Sequence, residues 1–284
     1  MASTDDTRRL DTGTEQLLCV IRQGVAVITL NRPDAKNALS DELTPALRTS
    51  LGVCDGDDGV GAILITGAGT AFCAGGDVKS MGSGRAGPAR SRDERVSELA
   101  RRQRTLTGVI VASRKPTLAA LPGPAAGAGL AIALACDLRI AARSAFIQTG
   151  YARIALPGDY GISWLLTRAV GPARARELLL LSERVDAERC ERLGLFNRLA
   201  ADEDLAEEAF ALAARLAGGP RGTLAAMKDN LDDALALDLL SAMDREAERL
   251  IDAAATDDHR EAVRAFVERR PPRFGRVSAP PPQD

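Results

Sequence analysis

Apolar residues in the first half of the chain occur in short runs that are typical of β-strands. Residues 17–21 and 25–30 form two such runs, and the pair Gln23-Gly24 lies between them, which predicts a β-hairpin. Residues 62–65 and 117–121 are two more runs, and each ends at a Gly-containing turn that leads toward helical sequence. Strands that alternate with helices predict an α/β fold with parallel pairing.

The pattern changes near residue 202, where the strand signals stop. Leu205, Ala209, Leu212 and Leu216 recur at the 3.6-residue spacing of a helix with one apolar face. The sequence therefore divides into a main α/β domain over residues 1–200 and a helical region over residues 201–274. Residues 1–14 are polar and residues 275–284 are Pro-rich, so we expect both termini to be disordered.

The composition restricts the kind of partner. The 284-residue chain is 45% hydrophobic with a net charge of −2, which argues against nucleic acid or an anionic membrane as a partner and favours a small molecule. The chain has no apolar run of the roughly 18 residues that a membrane span needs and no apolar secretory leader, so we expect a cytoplasmic protein. Its five cysteines are scattered and it has a single histidine, so we expect no metal site.

Two stretches rich in Gly and Ala follow predicted strands, at residues 72–77 and 123–130. Small side chains let backbone N–H groups approach a ligand oxygen, and the second stretch also opens a helix, which adds a positive dipole. Together the stretches are suited to an oxyanion hole. Close packing of strand against helix is one alternative, and a nucleotide-phosphate loop is another, although GxGxxG and the P-loop Lys-Ser/Thr pair are both absent.

Five segments resemble the motifs of the crotonase (enoyl-CoA hydratase/isomerase) superfamily, in the same order and with the same spacing. They are NRPDAKNAL (31–39), AFCAGGDVKSM (71–81), and residues 115–142, 166–171 and 257–274. The resemblance implies a crotonase-like α/β fold, a spiral of ββα turns with a helical C-terminal trimerisation region. It also implies an acyl-CoA thioester substrate, assembly as a homotrimer or hexamer, and no cofactor apart from the coenzyme A that belongs to the substrate.

The resemblance also implies roles for particular residues. The two oxyanion-hole amides fall on Gly76 and Ala128. Positions that match the coenzyme A groove, including two expected to act across a subunit boundary, are Arg32, Lys36, Ala38, Ala74, Lys79, Phe266 and Arg269 or Arg270. For Lys79, Arg269 and Arg270 a solvated charged surface is the alternative.

The sequence departs from the superfamily pattern at the two glutamates with which hydratases activate water. Ala131 and Tyr151 occupy those positions, and neither can transfer a proton at neutral pH as a carboxylate does. We expect Tyr151 to shape the acyl pocket or to donate one hydrogen bond.

One acidic residue remains in the right region. Asp159 resembles the catalytic carboxylate of superfamily isomerases and of 4-chlorobenzoyl-CoA dehalogenase, and its alternative role is to cap a helix that begins near Gly161. Apolar walls would raise its pKa and a helix N-terminus would lower it, and the sequence does not decide between them.

We predict an enoyl-CoA isomerase in which Asp159 moves the proton. A hydratase-like lyase that uses Asp159, with help from Tyr151, is the first alternative. Asp159 as the nucleophile of a dehalogenase or thioester hydrolase is the second, and a non-catalytic acyl-CoA binding protein is the third.

Overall fold

A computed structural model describes residues 7–77 and 91–275 and contains a seven-stranded main sheet. The strands lie in the order β1, β2, β3, β4, β5, β7, β10. β1, β2 and β3 pair antiparallel, and every later pair in this sheet is parallel. The strand bounds are β1 Arg8–Leu10, β2 Leu17–Arg22, β3 Val25–Leu30, β4 Ala62–Gly67, β5 Thr117–Leu121, β7 Leu138–Ala142 and β10 Arg198–Ala200.

A second, three-stranded sheet joins β6 Ala125–Ala126, β8 Phe146–Gln148 and β9 Val185–Asp186. Short 3₁₀ helices cover Pro33–Ala35 and Tyr151–Ile154. The α-helices are α1 Leu43–Gly56, α2 Arg92–Arg104, α3 Thr107–Ala112, α4 Gly127–Ala135, α5 Ile162–Leu181, α6 Ala187–Arg192, α7 Leu205–Ala217, α8 Arg221–Ala234, α9 Leu239–Ala254 and α10 Asp257–Val267. The predicted α/β class is confirmed. No helix in the described ranges is both long and apolar enough to cross a membrane.

The predicted hairpin is present, and its turn has a local cause. Gln23 and Gly24 have φ of 50° and 73°, the left-handed geometry that a two-residue hairpin loop needs to match the twist of its strands. The prediction that residues 1–14 are disordered is wrong for residues 8–10, because these residues form β1. This strand pairs with β2, with Arg8 opposite Ile21. Residues 1–6 and 276–284 lie outside the described part of the chain.

The helical region of residues 201–274 has two different kinds of environment. α7 packs against β4 and β5 and buries Leu205, Ala209 and Leu212, so it completes the core of the main sheet. α8 and α9 contain no buried residue. Polar contacts attach α8 to the rest of the chain, including Arg114 to Asp229 at 2.5 Å. The boundary predicted at residue 200 therefore precedes a helix that belongs to the main core.

The last helices expose many apolar side chains. The exposed large apolar residues of α8, α9 and α10 are Met227, Leu231, Leu239, Leu240, Met243, Leu250, Ile251, Val263, Phe266 and Val267. An apolar surface of this extent is typical of a region that meets another protein surface.

Asn37 fixes the turn between β3 and α1. Its side chain is fully buried, its Oδ1 accepts from the Arg32 N–H at 2.8 Å, and its Nδ2 donates to the carbonyls of Ala68 and Ala71 at 2.9 and 2.8 Å. One amide thus joins this turn to the segment that follows β4.

We expect Asn37→Ala to lower the free energy of unfolding by about 2–4 kcal/mol, because buried backbone groups lose their hydrogen-bond partner. Urea denaturation measures the change. Asn31→Ala is the matched control, since the Asn31 amide donates to the Glu15 carbonyl at the surface, and its expected cost is below about 1 kcal/mol. Equal losses in the two variants would contradict the assigned role of Asn37.

Candidate active site

The two Gly- and Ala-rich stretches lie side by side, because their backbones pair. The Cys73 N–H donates to the Pro124 carbonyl at 3.2 Å, and the Ala126 N–H donates to the Cys73 carbonyl at 2.9 Å. Gly75 has φ of 90°, and a Cβ added there would lie 2.8 Å from the Ala126 carbonyl oxygen. A side chain at residue 75 would therefore separate the two loops.

The backbone amides of Gly76 and Ala128 are available to a ligand. Ala128 is the second residue of α4, where helix N–H groups have no partner within the helix and the helix dipole is positive. Neither amide donates a backbone hydrogen bond to an acceptor within residues 7–77 and 91–275. Backbone amides of this kind are the donors from which an oxyanion hole is built.

Gly76, Ala128 and Asp159 line one cleft of about 960 Å³, together with residues of α1 and α2. The fold thus brings the three predicted catalytic residues to one cavity from segments far apart in the sequence.

Asp159 lies in the short segment that connects the 3₁₀ helix Tyr151–Ile154 to α5. The Tyr151 hydroxyl donates to Asp159 Oδ1 at 2.5 Å. Gly161, not Asp159, is the N-cap residue of α5, and no side chain caps this helix. The helix-cap alternative for the Asp159 side chain is therefore wrong, since its observed partner is a phenol.

The environment raises the pKa of Asp159 above its usual value. Loss of hydration on burial is the larger cause, and the hydrogen bond from Tyr151 opposes it by stabilising the carboxylate. Burial also raises the pKa of Tyr151, as does the adjacent Asp159, so the phenol stays protonated at neutral pH. Burial thus outweighs the influences that lower the Asp159 pKa.

Both hydratase glutamate positions lack a carboxylate. Ala131 is fully buried in α4, and Tyr151 is buried with its hydroxyl on Asp159, so Tyr151 donates the hydrogen bond expected from the sequence. Cys73 also stays a packing residue, because burial raises its thiol pKa to about 12.

Four predicted groove residues lie together beside the Gly75 loop. Arg32 donates to the Ala38 carbonyl at 2.6 Å and pairs with Asp77 at 3.3 Å. The Ala74 N–H donates to the Lys36 carbonyl at 2.9 Å, and the side chains of both residues are exposed.

Within one chain, the other residues predicted for the coenzyme A groove do not lie beside the Gly75 loop. Phe266 is 85% exposed on α10, and Arg269 is exposed just after that helix, so neither lines the cleft. Lys79 lies outside the described residues. Arg270 pairs with Glu261 at 2.6 Å, a contact that stabilises the end of α10.

Sequence reasoning missed two residues of the cleft, Arg48 of α1 and Tyr160. Tyr160 directly follows Asp159 and has φ of 50°, while Arg48 comes from a helix more than a hundred residues earlier. Asp41, Thr44 and Arg48 recur at helical spacing at the start of α1 and just before it. This pattern predicts a polar face, although many solvent-exposed helices share it.

The fold and this cleft define an α/β protein with a partly buried carboxylate beside two backbone amides, and comparison with known proteins gives the family. The family model for enoyl-CoA hydratase/isomerase matches residues 20–277. The chain therefore belongs to the enoyl-CoA hydratase/isomerase family, within the crotonase superfamily.

Individual relatives carry different activities in their names. The 1,2-epoxyphenylacetyl-CoA isomerase of Escherichia coli (strain K12) is 36% identical over 266 residues, which cover 92% of this chain and 98% of that protein. An enoyl-CoA hydratase structure from Mycobacterium smegmatis has a TM-score of 0.82 at 32% identity and covers 92% of this chain and 99% of its own. One from Polaromonas sp. JS666 has a TM-score of 0.84 at 30% identity, with coverage of 91% and 99%.

We expect Tyr151→Phe to raise the Asp159 pKa further, because the hydrogen bond that stabilises the carboxylate is lost. Carbon NMR titration of aspartate-labelled protein measures this pKa, and Asp159→Asn identifies the signal. Tyr160→Phe is the control, since no hydrogen bond from its hydroxyl to Asp159 is seen, and it should move the midpoint less. An unchanged or lower midpoint in Tyr151→Phe would contradict this electrostatic account.

Proposed function

We propose that this protein is an enoyl-CoA isomerase that moves a carbon–carbon double bond relative to the thioester. The observation that carries the proposal is the common cleft of Gly76, Ala128 and Asp159. Two amide donors and one partly buried carboxylate are the groups that a proton transfer next to a thioester carbonyl needs.

In the proposed reaction a 3-enoyl-CoA thioester binds with its carbonyl oxygen at the Gly76 and Ala128 amides. The Asp159 carboxylate removes a proton from C2, and the electron pair is delocalised into the carbonyl as a dienolate. The protonated Asp159 then returns the proton to C4, which leaves the double bond between C2 and C3. One group serves both steps, so the enzyme ends in its starting protonation state.

The other carboxylates of the cleft support this assignment, because they are engaged elsewhere or lie away from the amides. Asp77 pairs with Arg32 at 3.3 Å. Glu98 pairs with Arg101 at 2.9 Å and with Arg102 at 2.6 Å, and Asp41 is an exposed residue before α1. Within the described residues, Asp159 is the carboxylate of the cleft whose side-chain partner is a neutral hydroxyl.

A hydratase-like activity remains the second candidate, and one observation favours it. Tyr151 and Asp159 form a hydrogen-bonded pair, and the resemblance places Tyr151 at the position of one hydratase glutamate. A water between this pair and the substrate would be activated by Asp159, with the phenol as a neutral donor.

Asp159→Asn should lower the isomerisation rate by about 10²–10⁴-fold, because the only proposed proton carrier is lost. Purified protein is incubated with 3-enoyl-CoA and 2-enoyl-CoA panels in deuterated water, and mass spectrometry follows double-bond position, hydration and label. Asp58→Asn, an exposed aspartate after α1, is the matched control and should keep wild-type turnover. The wild-type rate should rise with pH through the raised Asp159 pKa, since the carboxylate is the active base.

Other products would assign other reactions. Formation of 3-hydroxyacyl-CoA without migration would identify the hydratase-like activity. A covalent aspartyl adduct at Asp159 would identify the nucleophilic alternative of a dehalogenase or thioester hydrolase. Tight acyl-CoA binding with no turnover of any substrate, unchanged in Asp159→Asn, would leave a binding protein.

We also infer that the chain assembles as a trimer or hexamer through α8, α9 and α10. The exposed apolar side chains of these helices, such as Leu250 and Ile251 at 68% and 70% exposure, support a contact with another copy. In such an assembly Phe266 and Arg269 are proposed to meet the coenzyme A of a neighbouring subunit.

Leu250→Asp should dissociate the assembly, because a charge would be buried without a partner at the proposed contact. Analytical ultracentrifugation measures the mass. Leu18→Asp is the matched control, since Leu18 is 47% exposed on β2, and it should leave the assembly intact. A monomeric wild-type protein at micromolar concentration would contradict this assembly.

A further inference from the structure

Two helices contribute several polar and charged side chains to the cleft. α1 and the residues just before it line the cleft with Asp41, Thr44 and Arg48, which recur at helical spacing. α2 contributes Glu98, Arg101 and Arg102. Pro45 and Leu99 lie on the same two helices, so an alkyl chain would find apolar contacts there, while an oxygen-bearing group would find donors as well.

Arg48 differs from the other arginines of the cleft because it has no carboxylate partner within the described ranges. Its Nε donates a long hydrogen bond of 3.4 Å to the Arg102 carbonyl, in the last turn of α2. Its Nη2 is buried and has no hydrogen-bond partner among the described residues. Arg101 and Arg102, in contrast, are both held by Glu98.

Tyr160 connects this guanidinium to the reacting end of the cleft. Tyr160 and Arg48 both line the cleft. Burial raises the pKa of Tyr160, and the charge of Arg48 together with a hydrogen bond from its side chain opposes that rise. Tyr160 directly follows Asp159, and both line the cleft with Arg48. A ligand that reaches from the Asp159 carboxylate past Tyr160 therefore meets Arg48.

The Arg48 side chain is half-buried and lines the cleft, although its Nη2 is itself enclosed by protein. A carboxylate or carbonyl oxygen on a bound ligand would accept a hydrogen bond from this guanidinium, and an ionised oxygen would bind most strongly.

We propose that Arg48 is a specificity-determining residue that binds an acceptor oxygen on the acyl group of the substrate. The substrate class is then an acyl-CoA whose acyl group carries a carboxylate or carbonyl beyond the reacting carbons, rather than an unsubstituted alkyl chain. This inference rests on the proposed acyl-CoA function and deepens it. The thioester carbonyl is held at the Gly76 and Ala128 amides, so the acyl group, not the thioester, supplies the oxygen that meets Arg48.

Three thioesters of closely matched size test the proposal. Glutaryl-CoA ends in a carboxylate, 5-oxohexanoyl-CoA in a methyl ketone and hexanoyl-CoA in an alkyl chain. Calorimetric titration measures their dissociation constants and that of free coenzyme A. Wild-type protein should bind glutaryl-CoA or 5-oxohexanoyl-CoA roughly ten- to a hundredfold more tightly than hexanoyl-CoA, since one hydrogen bond to a charged group is gained. A preference for the carboxylate identifies an anionic acyl group, and a preference for the ketone alone identifies a neutral one.

Arg48→Met should remove this preference and leave the affinity for free coenzyme A unchanged, while Arg48→Lys should retain part of the preference. Arg95→Met, at an exposed arginine of α2, is the control and should behave as wild type. Circular dichroism and thermal unfolding establish that each variant is folded.

Two results would overturn the role of Arg48 and leave the proposed function intact. One is wild-type protein that binds hexanoyl-CoA as tightly as both oxygen-bearing thioesters. The other is Arg48→Met protein that loses affinity for free coenzyme A by the same factor as for glutaryl-CoA, which would make Arg48 a coenzyme contact. Failure to bind any of the thioesters would instead overturn the proposed function together with this inference.

Discussion

The backbone pairing between the segments after β4 and β5 is the contact on which the cleft depends. Cys73 and Ala125 form a parallel bridge, and this bridge brings Gly75 and α4 together. The approach is so close that a Cβ on Gly129 would lie 2.4 Å from the Cys73 carbonyl oxygen. Glycine at residues 75 and 129 permits this approach, and Gly76 and Ala128 come to one cleft because parallel strands end at the same edge of the sheet.

The second requirement is a carboxylate with a suitable proton affinity, and two opposing effects set it. Burial favours the neutral form of Asp159, and the Tyr151 hydroxyl favours the ionised form. A carboxylate in water would be a weak base, whereas a fully desolvated one would not ionise near neutral pH. The Tyr151 hydroxyl thus opposes the effect of burial on the Asp159 pKa.

Two surfaces of the described chain support the two proposals on its ligands. Exposed apolar side chains lie on α9 and α10, and no carboxylate within residues 7–77 and 91–275 pairs with the Arg48 guanidinium in the cleft. Exposed apolar area is reduced by contact with protein, and a guanidinium binds an acceptor oxygen. The proposed subunit contact and the proposed polar acyl group would supply these two partners.

The sequence by itself determined the elements that depend on local pattern. Runs of apolar residues located β2, β3, β4 and β5, and Gln23-Gly24 located the hairpin turn, because strand pairing and turn geometry follow from neighbouring residues. The family motifs indicated Gly76 and Ala128 in the same way, since each lies within a short recognisable segment. Asp159 lies outside those segments and was indicated by the resemblance of its position to that of an isomerase carboxylate.

Only the tertiary structure decided the features that depend on residues distant in sequence. Residues 8–10, two of which are arginines, form a strand by pairing with the edge of β2, and the Asp159 carboxylate accepts from Tyr151 instead of capping α5. The direction of the Asp159 pKa shift follows from burial, which no local pattern records. Arg48 meets the cleft through the packing of α1 against other elements, and desolvation and long-range contact act on the folded chain alone.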